Sequence, residues 1–156
     1  MAIADWTRWM HASVCSYLKS VGQTNSVPTL AEGLEDRTDA FMQAPDRFEI
    51  RVNGPYTKKL PGLHEARIYV NVLVTSTMGD ERKNVFALDN ILGFIHEAMD
   101  TNIPLFEMGA SADSQTQIGC MSVIADVKII HFGQLTPEDR IRQGMVTAAY
   151  LYHFER

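Results

Sequence analysis

The sequence predicts an α+β fold: a mostly antiparallel β-sheet with helices packed on one face. Three observations predict it. Residues 4–21 and 85–100 repeat apolar side chains at steps of three and four. Residues 46–52, 66–76 and 144–154 alternate with period two, as strands of a sheet with one wet side do. The resulting order is helix, short helix, two strands, helix, three strands.

The first helix is expected over residues 4–21. Trp6, Met10, Val14, Tyr17 and Val21 form its stripe, Trp9 and Leu18 widen it, Asp5 is placed to cap it and Gly22 to end it. Asn25, Pro28 and Gly33 break any period, so residues 22–33 read as loop. A short helix fits about 35–43, before Pro45. Residues 46–52 follow as a strand with Phe48, Ile50 and Val52 on one face. Asn53-Gly54-Pro55 stops it, since proline cannot donate to a ladder. Residues 53–65 then read as an exposed loop. Residues 66–76 are the strongest strand, with Ile68, Val70, Val72 and Val74 toward the core and Tyr69, Asn71, Leu73 and Thr75 opposite. They pair with 46–52 as a long-looped hairpin.

Met78 to Lys83 is a polar turn. Asn84 caps a second helix over 85–100, whose stripe is Val85, Leu88, Leu92, Ile95 and Met99, reinforced by Ile91. Pro104 prevents its continuation. Small polar residues make 109–117 a loop, and strands follow at about 118–124 and 126–133. Thr136-Pro137-Glu138-Asp139 signals a single helical turn. The last strand, 144–154, sets Val146, Ala148, Tyr150, Tyr152 and Phe154 on one face. It runs almost to the end of the chain, so it is expected to be zipped into the sheet with no tail beyond it.

Composition narrows the function classes. The chain has 156 residues, enough for one domain that buries about 70% of its unfolded surface. Apolar residues make up 46% and charged residues 21%, with a formal charge of −5. That balance argues against a sequence-independent grip on nucleic acid, which needs phosphate-neutralising cations. Cys15 and Cys120 lack metal-type spacing. Residues 1–21 lack a basic leader ahead of an apolar core, so no signal peptide and no membrane span is expected, and folding in a reducing cytoplasm is the default.

Candidate chemistry is sparse. His96 on the second helix has Asp100 as the sole metal-competent neighbour at helical spacing, so it reads as a flank histidine. Cys120 would need His131 as its base to act as a nucleophile, and reads instead as a buried structural thiol. Glu32, Glu35, Asp36 and Asp39 form an acidic run, but Arg37 lies inside it and no calcium-loop spacing appears. Lys58 and Lys59 could touch phosphate, though two lysines on an acidic chain are a weak signal. No phosphate-binding glycine loop is present. No catalytic residue, cofactor or metal is therefore expected. What stands out is strand surface with β-branched and aromatic residues on both faces. Tyr69, Leu73, Ala149 and Leu151 fall opposite the helix-covered side, which favours partner contact.

Several segments together carry a resemblance. They are Val52-Asn53-Gly54-Pro55-Tyr56, Ala66-Arg67-Ile68-Tyr69-Val70-Asn71-Val72-Leu73-Val74, Ile118-Gly119-Cys120-Met121 and His131-Phe132-Gly133-Gln134 with Pro137, closed by the strand through Val146 and Tyr150. Over roughly residues 48–154 this succession resembles the tail-terminator and neck proteins of tailed bacteriophages. The resemblance implies a small α+β domain that assembles into a homo-oligomeric ring, commonly a hexamer, in the host cytoplasm and then in the virion. Such a ring caps the tail tube, stops its growth and meets the head connector, and DNA passes through its lumen without specific binding. An acidic lumen would let DNA slide. Ring contacts are heterologous, so two different surfaces must match. Pro55, Tyr56, Lys58, Lys59, Tyr69, Leu73, Gln134 and Leu151 are the expected interface residues, and loops 53–65 and 109–117 the segments expected to meet neighbours. Alternatives within the class are a head-side neck adaptor or a tail-tube subunit. Outside it they are a small enzyme or ligand-binding domain, or a host-derived interaction module.

Overall fold

The computed structural model describes residues 3–77, 84–108, 115–133 and 140–155. Helix α1 (Ile3–Thr24) comes first, then β1 (Thr29–Ala31), α2 (Asp39–Gln43), β2 (Asp46–Leu60), β3 (Leu63–Thr77), α3 (Asn84–Met99), β4 (Ile103–Met108), β5 (Gln115–Val123), β6 (Lys128–Gly133) and β7 (Ile141–Glu155). This is an α+β fold, and its sheet is antiparallel except for the β1–β2 pair. The strand order is β1-β2-β3-β7-β5-β4, with β6 also on β7. The second edge of β7 is thus shared. Its first half takes β6, from Gln143 to Thr147, and its second half takes β5 at Tyr150 and Leu151.

The alternation in the sequence becomes rows of side chains across the sheet. On the inner face Ile50, Val72 and Val146 stand in register, as do Val52, Val70 and Ala148. Ile68 stands beside Tyr150. Helix α1 covers one part of this face with Trp6, Trp9, Met10, Val14 and Leu18. Helix α3 covers another with Leu88, Ile91, Leu92, Ile95 and Met99. Two polar bonds fix the helices. Tyr150 Oη donates to Met99 O at 2.6 Å, satisfying a carbonyl of the last turn of α3, and Tyr17 Oη donates to Ala98 O at 2.6 Å. The Trp6 ring stacks on Phe154, with centroids 3.9 Å apart, tying the start of α1 to the end of β7.

Several expectations are corrected. Residues 53–65 are not a loop. Strands β2 and β3 continue as a ladder to Leu60↔Leu63, closed by Pro61 and Gly62. Gly54 and the cis peptide to Pro55 are absorbed in a bulge where the register shifts between Asn53 and Tyr56. Gly54 has φ 101°, open to glycine and costly for other residues. Gly22 does not end α1 but lies within it. A Cβ there would sit 2.0 Å from Thr29 Oγ1 and 3.1 Å from Phe48 Cζ, so glycine lets β1 and β2 approach the helix. Asp5 lies in the first turn of α1 rather than before it.

The 22–33 segment contains β1, and β4 forms immediately after α3. Helix α3 ends at Met99, short of Pro104, and the proline is tolerated in β4, at the end of the strand order. Residues 115–117 belong to β5, not to a loop. Helix α2 is shorter than expected and is capped by Thr38, whose side chain accepts from Phe41 N. Among the described residues no helix is long and apolar enough to cross a membrane. The expected turns at 78–83 and 136–139, and most of the 109–117 loop, lie outside the described residues.

Two substitutions test this core. Val72 is fully buried in a central row. Val72→Asp buries an unpaired carboxylate at a cost of several kcal/mol, comparable to a whole domain stability of about 5–15 kcal/mol. It should abolish cooperative thermal unfolding, and a soluble variant with an unchanged melting temperature would contradict the assignment. Tyr150→Phe keeps the ring and strips Met99 O of its donor. The expected loss is about 1–3 kcal/mol, read as a melting temperature lower by roughly 3–10 °C in calorimetry.

Candidate assembly surface

Every sheet has edges, and a protein must pair, cover or defend them. The β4 edge is met by α1. Ser13 Oγ accepts from Phe106 N at 3.0 Å, and Trp9 Nε1 donates to Met108 O at 3.2 Å, so helix side chains take up backbone groups that a further strand would use. On β2, strand β1 covers Phe48 to Ile50, and Phe48 N donates to Pro28 O beyond it. Past the bulge, from Tyr56 to Leu60, β2 pairs with β3 on one side and with no second strand on the other among the described residues.

The third edge is β6. Its one strand partner among the described residues is β7, and five of its six residues are exposed. Ile129, Ile130 and Phe132 are 40%, 43% and 52% exposed, and Ile141 just across the connection is 43% exposed. Ile130 pairs with Met145 and shares the outer face. Ile129 pairs with Val146 and shares the inner face, so β6 is apolar on both sides. Gly144 makes room where β6 meets α3: a Cβ there would lie 2.8 Å from Leu92 Cδ1 and 3.1 Å from Ile130 O. His131 Nε2 stands 3.8 Å from Asp89 Oδ1 on α3.

The β2–β3 hairpin carries most of the other expected interface residues, with Lys58 on its outer face and Lys59 on the opposite one. Tyr56 and Tyr69 are exposed and face each other with ring centroids 5.8 Å apart. Lys58 and Lys59 are exposed on β2, in register with Glu65 and His64. Leu73 and Leu151 are half-buried, and Pro55 is turned toward α1, where it lines a hollow with Thr7, His11 and Leu34. Burial pushes the His11 imidazole toward its neutral form. Gln134 lies outside the described residues. The structure thus groups Tyr56, Tyr69, Lys58 and Lys59 on one arm and separates Pro55 from them. The residues missed from sequence are Ile129, Ile130 and Phe132. Their signal was an unbroken bulky run, which equally describes a strand buried between two others.

The candidate chemical groups separate as well. Cys120 is exposed, not buried as expected, and takes a contact from Gln117 Nε2 at 3.5 Å, while its candidate base His131 faces Asp89. Cys15 is the buried thiol, and desolvation pushes its pKa up to about 11. His96 Nε2 donates to Val127 O at 3.2 Å. Among the described residues no cluster of His, Cys, Asp or Glu is arranged to hold a metal.

The acidic run disperses onto separate cations. Lys19 Nζ donates to Glu35 Oε1 at 2.6 Å, and Arg51 Nε stands 2.8 Å from Glu32 Oε2. Glu49, buried on the outer face of β2, accepts a forked pair from Arg37, Nε to Oε1 at 3.3 Å and Nη2 to Oε2 at 3.0 Å. Arg51 Nη2 adds a third contact at 3.3 Å. Desolvation alone would raise the Glu49 pKa, but the two guanidinium groups outweigh it and hold the carboxyl below the usual range.

No family model matches this chain, and no curated protein does. Five solved chains match it in fold. One of them, whose name states no activity, is 13% identical with a TM-score of 0.52 and covers 96% of this chain and 94% of its own length. At that identity the likeness shows the fold alone.

The Glu49 network has a pH signature. A carboxyl whose folded pKa is depressed contributes stability that is fully present above its unfolded pKa, near 4.3, and lost as pH falls through the folded value. Glu49→Gln should cost about 1–3 kcal/mol at neutral pH, and this difference from the parent should shrink in urea unfolding as pH drops below about 4. A pH-independent difference would mean that the carboxylate charge is not what holds the Arg37 segment, just before α2, against β2.

Proposed function

We propose that this chain is a structural subunit of a tailed bacteriophage. It forms a homo-oligomeric ring at the head-proximal end of the tail, ends tail-tube growth and joins tail to head. The observation that carries the reading is the β6 edge, apolar on both faces, in a fold that meets its β4 edge with helix side chains. An apolar edge left open in a monomer is a liability for aggregation, and it makes sense as a surface completed by assembly. The phage setting rests on the sequence resemblance over residues 48–154, and the structural features are compatible with it.

In this reading the ring is commonly a hexamer. The partners are the tail tube on one side and the head connector on the other, and assembly takes place in the host cytoplasm before the protein enters the virion. DNA crosses the lumen without specific binding, in keeping with a formal charge of −5. The reading assigns no catalysis and no metal.

Light scattering on the eluting protein and negative-stain microscopy test the proposal directly. The expected result is closed rings of one diameter with an integral number of 17.5 kDa subunits. Long tubes would move the protein to the tube-subunit class. A monomer at every concentration up to about the millimolar range would remove the ring.

A further inference from the structure

We infer that the ring contact is made by sheet extension between copies of this chain: the β6 edge of one subunit pairs with the projecting edge of the β2–β3 hairpin, residues 56–60, of the next. This deepens the ring reading above and rests on it.

Helix α1 takes up backbone groups of β4, and β1 covers β2 from Phe48 to Ile50. Where β5 lacks a strand on its second side, Tyr152 Oη donates to Ile118 O at 3.2 Å. Among the described residues, β6 on one flank and 56–60 on the other each have a strand on one side alone. They are different surfaces of one subunit, and a heterologous, ring-closing contact requires such a pair. Their lengths match, six residues against the five from Tyr56 to Leu60. Pairing them would give each row of backbone groups the partners it lacks.

The side chains fit the same occupant. Strand β6 offers Ile129, Ile130 and Phe132, and the hairpin offers the exposed Tyr56–Tyr69 pair, whose rings can cover isoleucine without burying a charge. Lys58 and Lys59 defend the hairpin edge against indiscriminate pairing. The β6 flank answers them with the carboxylates of Asp126, two residues before the strand, and Asp89, beside it on α3. Lys128 is the one fixed cation of β6 and stands at its start. On the hairpin, Arg67 is already engaged by Glu65, Nε to Oε1 at 2.8 Å, so the two lysines are the arm's charges left to offer.

The test blocks each edge by removing one outward N–H. Consecutive strand residues point their N–H groups to opposite edges, so of two adjacent prolines one removes an outward donor and spares the internal ladder. The pairs are Ile129→Pro and Ile130→Pro in β6, and Thr57→Pro and Lys58→Pro in the hairpin. The member of each pair that keeps the parent circular dichroism and melting behaviour is used, and Ile130→Lys serves as a backbone-neutral second block of β6. Each blocked variant alone should lose the ring and elute as a monomer. An equimolar mixture of a β6-blocked and a hairpin-blocked variant still has one competent edge of each kind, so it should form a heterodimer of doubled mass. Rings that survive both blocks would overturn the edge pairing and leave the ring reading standing. A hairpin-blocked variant that dimerises by itself would replace it with a symmetric β6–β6 contact. An unmodified chain that never assembles removes both readings.

Discussion

The pairing of β3 with β7 is the constraint on which the structure depends. Fifteen residues of each strand run in register, from Leu63↔Glu155 to Thr77↔Ile141, without a shift. The partners are far apart in sequence, so the chain closes a long loop before any of these contacts rewards it. Once the ladder forms, a continuous inner row from Ala66 to Val74 and from Val146 to Phe154 gives both helices a surface to dock on. The hairpin, the branching of β5 and β6 on β7, and the seating of α3 through Tyr150 all inherit their positions from that register. A slip of one residue would turn every inner valine toward solvent.

Much of this was legible in the residues. The alternation in 66–76 and 144–154 identified both central strands and their inward faces, because a half-buried strand writes its burial directly into the sequence. The stripes of α1 and α3 were legible for the same reason. Glycine and proline misled where tertiary context overrode their local preference. Gly54 and Pro55 read as a stop but became a bulge, and Pro104 read as the end of a helix but also opened an edge strand that α1 then covered. Gly22 read as a terminator, whereas its missing side chain serves packing against Thr29 and Phe48.

The candidate surface was half legible. Tyr56, Lys58 and Lys59 could be singled out as aromatic and basic residues in a segment read as exposed, and Tyr69 by its place on the strand face opposite the helices. Ile129, Ile130 and Phe132 could not, because exposure of an apolar strand is a fact of topology. Only the strand order shows that β6 has a single strand neighbour among the described residues, and strand order is not encoded in any local period. The Glu49 network was hidden in a similar way. Arg37 lies in the irregular segment between β1 and α2 and Glu49 on β2, and only folding sets a guanidinium fork against a buried carboxylate.

The two cysteines have contrasting settings, and the contrast makes the molecule selectively addressable. Cys15 is buried on α1 with its thiolate disfavoured, while Cys120 stands open on β5 opposite Pro104 of β4. Thiolate chemistry therefore discriminates between them without mutagenesis. A maleimide dye would attach to β5, on a strand that contributes to neither open edge. Each subunit would then carry a single fluorophore, and stepwise photobleaching of one assembled particle would count its copies.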